Sequence, residues 1–298
     1  MNHEGSIFHS GCAVSANVLF FAKEVEAVAQ RSGANSSFLV LNSGDWHMYD
    51  ESAAWPAIAM ATIKPEGGTR TVVAVGPAGQ YWEVAPQSLK EVMGIIGEAQ
   101  RSIRGVRSVG DSLYLVGMGR LVMERVDVGQ WHDMSPKGDQ VKGQVVGFED
   151  IGGFSTEEVY AVGWQGEIWW RNKLKWRQVD SPVSANLNSI ACSVEGVVYI
   201  VGDNGVMLEG RHETWKVVDT GKSENLLDVA VYKQQVFVVT DFGIFRLSPS
   251  GRLVAEDNFV EDDRPSTCLH LLESPDAVFS MGPSDLFRLT DGSWERLV

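Results

Sequence analysis

The sequence predicts an all-β fold, a β-propeller of four-stranded blades, with seven blades and six as the alternative count. Three observations lead there. The stretch VYIVGDNGVMLEGRHETWKVV, Val198 to Val218, has a close relative in VYAVGWQGEIWWRNKLKWRQV, Val159 to Val179, so it is one unit of a repeat and not a lone ligand motif. A valine-rich run ends in a turn six times, with second turn positions at Gly76, Gly117, Gly163, Gly202, Thr240 and Gly282, spaced by 41, 46, 39, 38 and 42 residues. From the last five of these turns, Trp131, Trp176, Trp215, Leu253 and Trp294 follow after 14, 13, 13, 13 and 12 residues, so the unit is tighter inside than between copies and insertions belong to the connections.

Each element of the unit has a residue-level reason. An apolar stretch opens it, as LNSIACS before VVYIVG and LLDVAVY before VFVVTD. The V-G-x-x-G turn follows the second strand, because a tight antiparallel connection needs φ above zero or close backbone approach, and glycine supplies both. A third short strand comes next, and the aromatic residue opens the fourth. Four antiparallel strands at a period near 40 residues are the mark of propeller blades. Helix-pair repeats are excluded by the valine-rich, glycine-punctuated pattern. Six copies run from about Pro56 to Val298, and SSFLVLNSGDWHMYDESAAW, with its Gly44 turn, Trp46 and Tyr49, makes residues 1–55 a degenerate further blade, the alternative being an N-terminal extension. The chain is thus expected to be one domain over 1–298. The last copy is complete through SWERLV, so closure is expected without an N-terminal strand finishing the final blade.

The V-G-x-x-G turn followed about 13 residues later by tryptophan, as in AVGWQGEIWWRNKLKW and IVGDNGVMLEGRHETW, resembles the propellers of the photosystem assembly factor Ycf48 and the wider group of BNR-like bacterial repeats. The resemblance covers about residues 56–298 and implies fold alone, since that group holds glycan-processing enzymes, assembly factors and binding modules. Its Asp-box, S/T-x-D-x-G-x-x-W, is degraded: TDGSW at Thr290 to Trp294 is shortened, and RHETW lacks the aspartate and glycine. The arginine triad of the sialidase branch has no residue-by-residue match.

Charge narrows the partners. With 25 basic and 39 acidic residues the formal charge is −14, which disfavours nucleic acid and favours a basic partner. Cys12, Cys192 and Cys268 are odd in number, far apart and without C-x-x-C, which fits buried thiols in a reducing compartment. The N-terminus has no basic n-region, and VLFFA is too short for a signal core or a membrane span. A soluble, cytoplasmic protein is expected.

Catalytic motifs are missing: there is no G-x-S-x-G elbow, H-E-x-x-H, P-loop or EF-hand loop, and no metal or cofactor is expected. GMGRLV at Gly117 holds two glycines of a dinucleotide fingerprint but sits between strands, without the helix the fingerprint requires. His3 and His9 lie near the start, and His47, His132, His212 and His270 fall singly in different repeats, with His132 and His212 beside the outer-strand aromatics. A glycosidase-like carboxylate pair stays open. The acidic run EDNFVEDDRP, Glu256 to Pro265, is expected to be a solvated loop between the last two blades or an acidic contact patch for a basic protein. In RSIRGVRS, Arg104 and Arg107 align with Ser189 and Cys192 on the innermost strand, with Arg101 before them, and alternation lets at most one of Arg104 and Arg107 line the channel. There it would bind an anion or, in an acidic protein, pair with a carboxylate.

Turns between second and third strands open on the face where each innermost strand enters. They form a ring of Pro77-Ala78, Met118, Trp164-Gln165, Asp203-Asn204, Asp241-Phe242 and Pro283-Ser284. Trp164 and Phe242 stand out, because turn tips are normally polar and aromatics are favoured binding anchors. Of Trp169 and Trp170, consecutive in a strand, one must point to each side. The expected partner-binding set is Trp164, Gln165, Asp203, Asn204, Asp241 and Phe242 with Glu261, Asp262 and Asp263 of the acidic run. The chain reads as a monomeric, non-catalytic protein-binding propeller without nucleic-acid or membrane partners: an immunity protein that occludes a cognate bacterial toxin, with opposite charge speeding association. Alternatives are a glycan-binding or glycan-processing propeller and an assembly factor of the Ycf48 kind.

Overall fold

Seven runs of β-branched and aromatic residues fold into seven four-stranded antiparallel sheets, each with its strands in chain order, so seven blades replace the six-blade alternative. The computed structural model describes residues 6–25, 29–30, 33–65, 67–87, 90–97, 102–137 and 144–298; His3 and Arg101 lie outside them. The innermost strands are Ser6–Ser15, Ala59–Ile63, Ile103–Val109, Phe148–Ser155, Leu187–Cys192, Asp228–Tyr232 and His270–Glu273, which number the blades 1 to 7. Trp131, Trp176, Trp215, Leu253 and Trp294 each fall in the fourth strand of their blade, as the repeat predicts.

Residues 6–53 form blade 1, but not in the frame read from the sequence. The Gly44 turn joins its third strand, Ser36–Asn42, to its fourth, Asp45–Ala53, and VLFFA belongs to its second, Val18–Val25, where Leu19 and Phe21 are fully buried.

One apolar cluster fills each interface between neighbouring blades. Trp169 packs toward blade 3 and Trp170 toward blade 5, as alternation requires. The ring closes between blades 7 and 1 with no shared strand, since His270–Arg296 supplies all four strands of blade 7. Phe8, Phe21, Leu272, Phe279 and Leu286 fill that seam. Along it the Phe8 amide donates to the Pro283 carbonyl at 2.9 Å, Ala16 N–H to Asp276 at 2.7 Å, and Arg288 to the Ala16 carbonyl at 3.0 Å.

The ladder also corrects the arginine alignment. Gly117 pairs with Ile103 as Gly202 pairs with Leu187, and the first hairpin of blade 5 is one residue longer than that of blade 3. Arg104 and Arg107 therefore correspond to Asn188 and Ala191, one residue from the positions the sequence suggested.

Candidate functional site

The innermost strands surround a channel of about 530 Å³. Blades 1 and 2 give it a wall of small residues, among them Ser10, Gly11, Cys12, Ala59 and Ala61, and the opposite wall is charged. Arg107 reaches across from blade 3. Its guanidinium lies 2.9 Å from Asp150 of blade 4, 3.2 Å from Asp228 of blade 6 and 3.9 Å from Glu273 of blade 7, and it donates to the Ser189 hydroxyl of blade 5 at 3.2 Å.

The carboxylates in turn staple blades together. Asp150 accepts from Ile190 N–H of blade 5 at 3.0 Å, Asp228 from Leu271 N–H of blade 7 at 2.8 Å, and Glu273 from Val231 N–H of blade 6 at 2.9 Å. Ser189 sits between the two aspartates, its hydroxyl oxygen 3.1 Å from Asp150 and 2.5 Å from Asp228, with its single proton donated to the nearer Asp228. Burial disfavours the charged guanidinium, but the carboxylates around it outweigh that and hold the Arg107 pKa above the usual range. Burial pushes the Asp150 carboxyl up, against the pull of Arg107. His270 also lines the channel, and burial lowers its pKa despite Asp228, which favours the neutral imidazole. Arg107 thus pairs with carboxylates. Its Nε and Nη2 donors are taken up by Asp150, Ser189 and Asp228, and three carboxylates balance its charge, so it is matched within the protein and not set as an anion cradle.

The entry face gathers the sequence-derived candidates. Trp164 is half-buried, and its indole N–H donates to Glu149, which also holds Arg104 through two hydrogen bonds. Gln165 and Asn204 are exposed turn tips with φ of 59° and 57°. Each tip is capped from the next blade: Asn186 accepts from Gln165 N–H at 3.1 Å and Asn225 from Asn204 N–H at 3.0 Å. Asp203 is half-buried and accepts from the side-chain amides of Asn186 and Asn188. Asp241 is exposed, and Phe242 is 80% exposed, against which Trp164 is mostly covered.

The acidic run does lie between blades 6 and 7, but it is only partly a solvated loop. Glu256 is buried, accepting from Arg246 at 2.7 Å and from the Trp294 indole at 3.2 Å. Trp294 N–H donates to the Asn258 carbonyl, and Phe259 packs edge-on against Phe287, so the segment lies along the outer strand of blade 7. Glu261, Asp262 and Asp263 project beyond it and are exposed. Asp262 pairs with Arg264 at 2.9 Å and Asp263 with Arg296 at 2.7 Å.

The channel cluster of Asp150, Ser189, Asp228 and Glu273 was missed in the sequence. A signal was present, since Asp150, Ser189, Asp228 and His270 are spaced by 39, 39 and 42 residues, the blade period itself, and each interrupts an apolar strand. His212, by contrast, stacks on Trp170 and contacts Glu158 at 3.0 Å, away from the channel. Among the described residues, no group of three or more His, Cys, Asp or Glu is placed to hold a metal ion.

No family model matches the chain. It is 28% identical over 295 residues to the protein named "Immune protein Tsi7" of Pseudomonas aeruginosa, with 94% of each chain covered. In fold it is similar to YCF48 bound to D1 peptide, at TM-score 0.58 and 17% identity over 80% of this chain and 79% of that one. It is likewise similar to the RRP9 WD40 repeats, at TM-score 0.65 and 11% identity over 95% and 89%. At such identities these two likenesses concern the fold alone.

Proposed function

We propose that this chain is an immunity protein, a non-catalytic propeller that binds a cognate bacterial toxin and neutralises it by occlusion. The observation that carries the reading is the 28% identity to an immune protein sustained over 94% of both chains, so that every blade takes part. The net charge of −14 fits a basic toxin. The channel supports a binding role over glycan cleavage. A glycosidase needs one carboxyl free to give a proton and another free to attack or activate water, whereas Asp150 and Asp228 are both engaged by Arg107, Ser189 and backbone amides.

The toxin-binding surface in this reading is the entry face around Trp164, Gln165, Asp203, Asn204, Asp241, Phe242, Glu261, Asp262 and Asp263. The protein acts as a cytoplasmic monomer without cofactor, nucleic acid or lipid surface. No helix among the described residues is long and apolar enough to cross a membrane. The test is co-expression with candidate toxins taken from the neighbouring genes. Restored growth, with a one-to-one complex recovered from the cells, is the expected result. A toxin that stays lethal beside an equal amount of folded protein contradicts the proposal.

A further inference from the structure

We infer that the toxin is gripped by one aromatic knob, Phe242, standing in an acidic collar from blades 6 and 7, and that it receives this knob in an apolar pocket rimmed by lysine or arginine. The inference rests on the immunity reading and names the part of the entry face that does the binding.

A break in the repeat points to Phe242. The aligned segments VGWQG, VGDNG and VTDFG put Gln165, Asn204 and Phe242 at one position in blades 4, 5 and 6. The first two take the left-handed conformation and are capped by Asn186 and Asn225 of the following blade. A bulky aromatic is a poor occupant of that conformation. The blade 6 turn is accordingly different: Thr240 pairs with Gly243, which takes a φ of 145°, and Phe242 N–H donates to the Thr240 hydroxyl at 3.0 Å. Thr240 is fully buried, so the tip is fixed from below while the ring stays 80% exposed. At 80% exposure this ring adds little packing to the fold. A residue that breaks the local pattern without structural return is expected at a functional site, and an aromatic held in place before binding loses little entropy on docking.

The collar is equally built. From Glu256, whose N–H donates at 2.9 Å to the carbonyl of Ile244, two residues beyond Phe242, the chain crosses to the outer strand of blade 7, where the Asn258 carbonyl accepts from Trp294 N–H. Val260 is 45% exposed there, and Glu261 and Asp262 both adopt φ of 57°. Nearby arginines are already matched, Arg246 to Glu256, Arg264 to Asp262, and Arg296 to both Asp263 and Asp285. Asp241, Asp257 and Glu261 are exposed and in excess of them. An exposed aromatic next to Asp241, with surplus negative charge on the crossover from blade 6 to blade 7, suits an apolar pocket with a basic rim.

The experiment is calorimetric and kinetic binding of the purified toxin to the wild type, Phe242→Ala, and Asp241→Asn combined with Glu261→Gln, at two salt concentrations. Phe242→Ala is expected to weaken binding about 30-fold or more through faster dissociation, the size of a hot-spot loss, with an unchanged melting temperature. The charge variant is expected to slow association and flatten its salt dependence. Binding by Phe242→Ala within about threefold of wild type, or a melting temperature that falls with it, overturns the knob while leaving the immunity reading intact. Wild-type protein that does not bind the toxin overturns both.

Discussion

Replacing Arg107 by methionine keeps most of the aliphatic stem and removes the charge that crosses the channel. Asp150 and Asp228 then face each other through Ser189, whose hydroxyl lies 3.1 and 2.5 Å from their oxygens. Two like charges about 5 Å apart repel by about 3 kcal/mol at an effective dielectric constant near 20. Breaking a buried ion pair on one side costs about 3 to 5 kcal/mol, and the lower end applies because the Arg107 side chain is 27% exposed. At about 2 to 4 °C per kcal/mol for a chain of this size class, the melting temperature is expected to fall by about 6 to 12 °C. The pH dependence follows from Asp150. Its pKa is raised in the folded state, so its contribution to stability is present below the unfolded value, about 3.9, and is lost as pH rises through the folded value. Arg107 limits that loss in the wild type. The deficit of Arg107→Met is therefore expected to be largest near pH 8 and to shrink toward pH 5, as the unpaired Asp150 takes up a proton. Melting curves of both proteins between pH 5 and 8 measure it. A drop under 2 °C, or a deficit that does not change with pH, would refute the hub as the lock between blades.

Gly205→Ala is expected to destabilise far more than Gly44→Ala, although both glycines have positive φ, of 72° and 93°. A Cβ on Gly205 would fall 2.1 Å from the Lys222 carbonyl oxygen, while one on Gly44 meets nothing within 4 Å. Strain alone costs about 1 to 2 kcal/mol, so equal losses in melting temperature would contradict this assignment. Burial raises the thiols of Cys12 and Cys192 to about 12 and of Cys268 to about 11. A thiol reagent at pH 8 is expected to leave buried Cys12 and Cys268 untouched in the native protein, to reach half-buried Cys192 only slowly, and to modify all three after unfolding; rapid native labelling of Cys12 or Cys268 would disprove the closed packing. Trp164→Ala, unlike Phe242→Ala, is expected to lower the melting temperature, because its half-buried indole holds Glu149 beside Arg104. Unchanged stability would show that contact to be idle.

The blade architecture was legible because its signal is local and repeated: a glycine where a tight turn needs one and an aromatic where the outer strand begins. Blade 1 obscured its frame because the sequence marks only its Gly44 turn, which belongs to the last hairpin and not to the V-G position. The arginine alignment slipped by one because a single extra residue in the blade 5 hairpin is invisible without the ladder. The hub around Arg107 was hidden for a different reason. Its members sit one to a blade, and only the closed ring brings residues as far apart as 107 and 273 together. The acidic run was placed correctly between blades, but composition alone did not separate buried Glu256 from exposed Glu261. That difference comes from Trp294 and Arg246, which engage the first and not the second.

The most direct measurement titrates the purified chain against its cognate toxin while the toxin's activity is followed, at low and at high salt. Saturable one-to-one binding that silences the toxin, with association slowing as salt rises, is the result expected of an acidic immunity propeller. A toxin that remains fully active at saturating concentrations of this protein would contradict it.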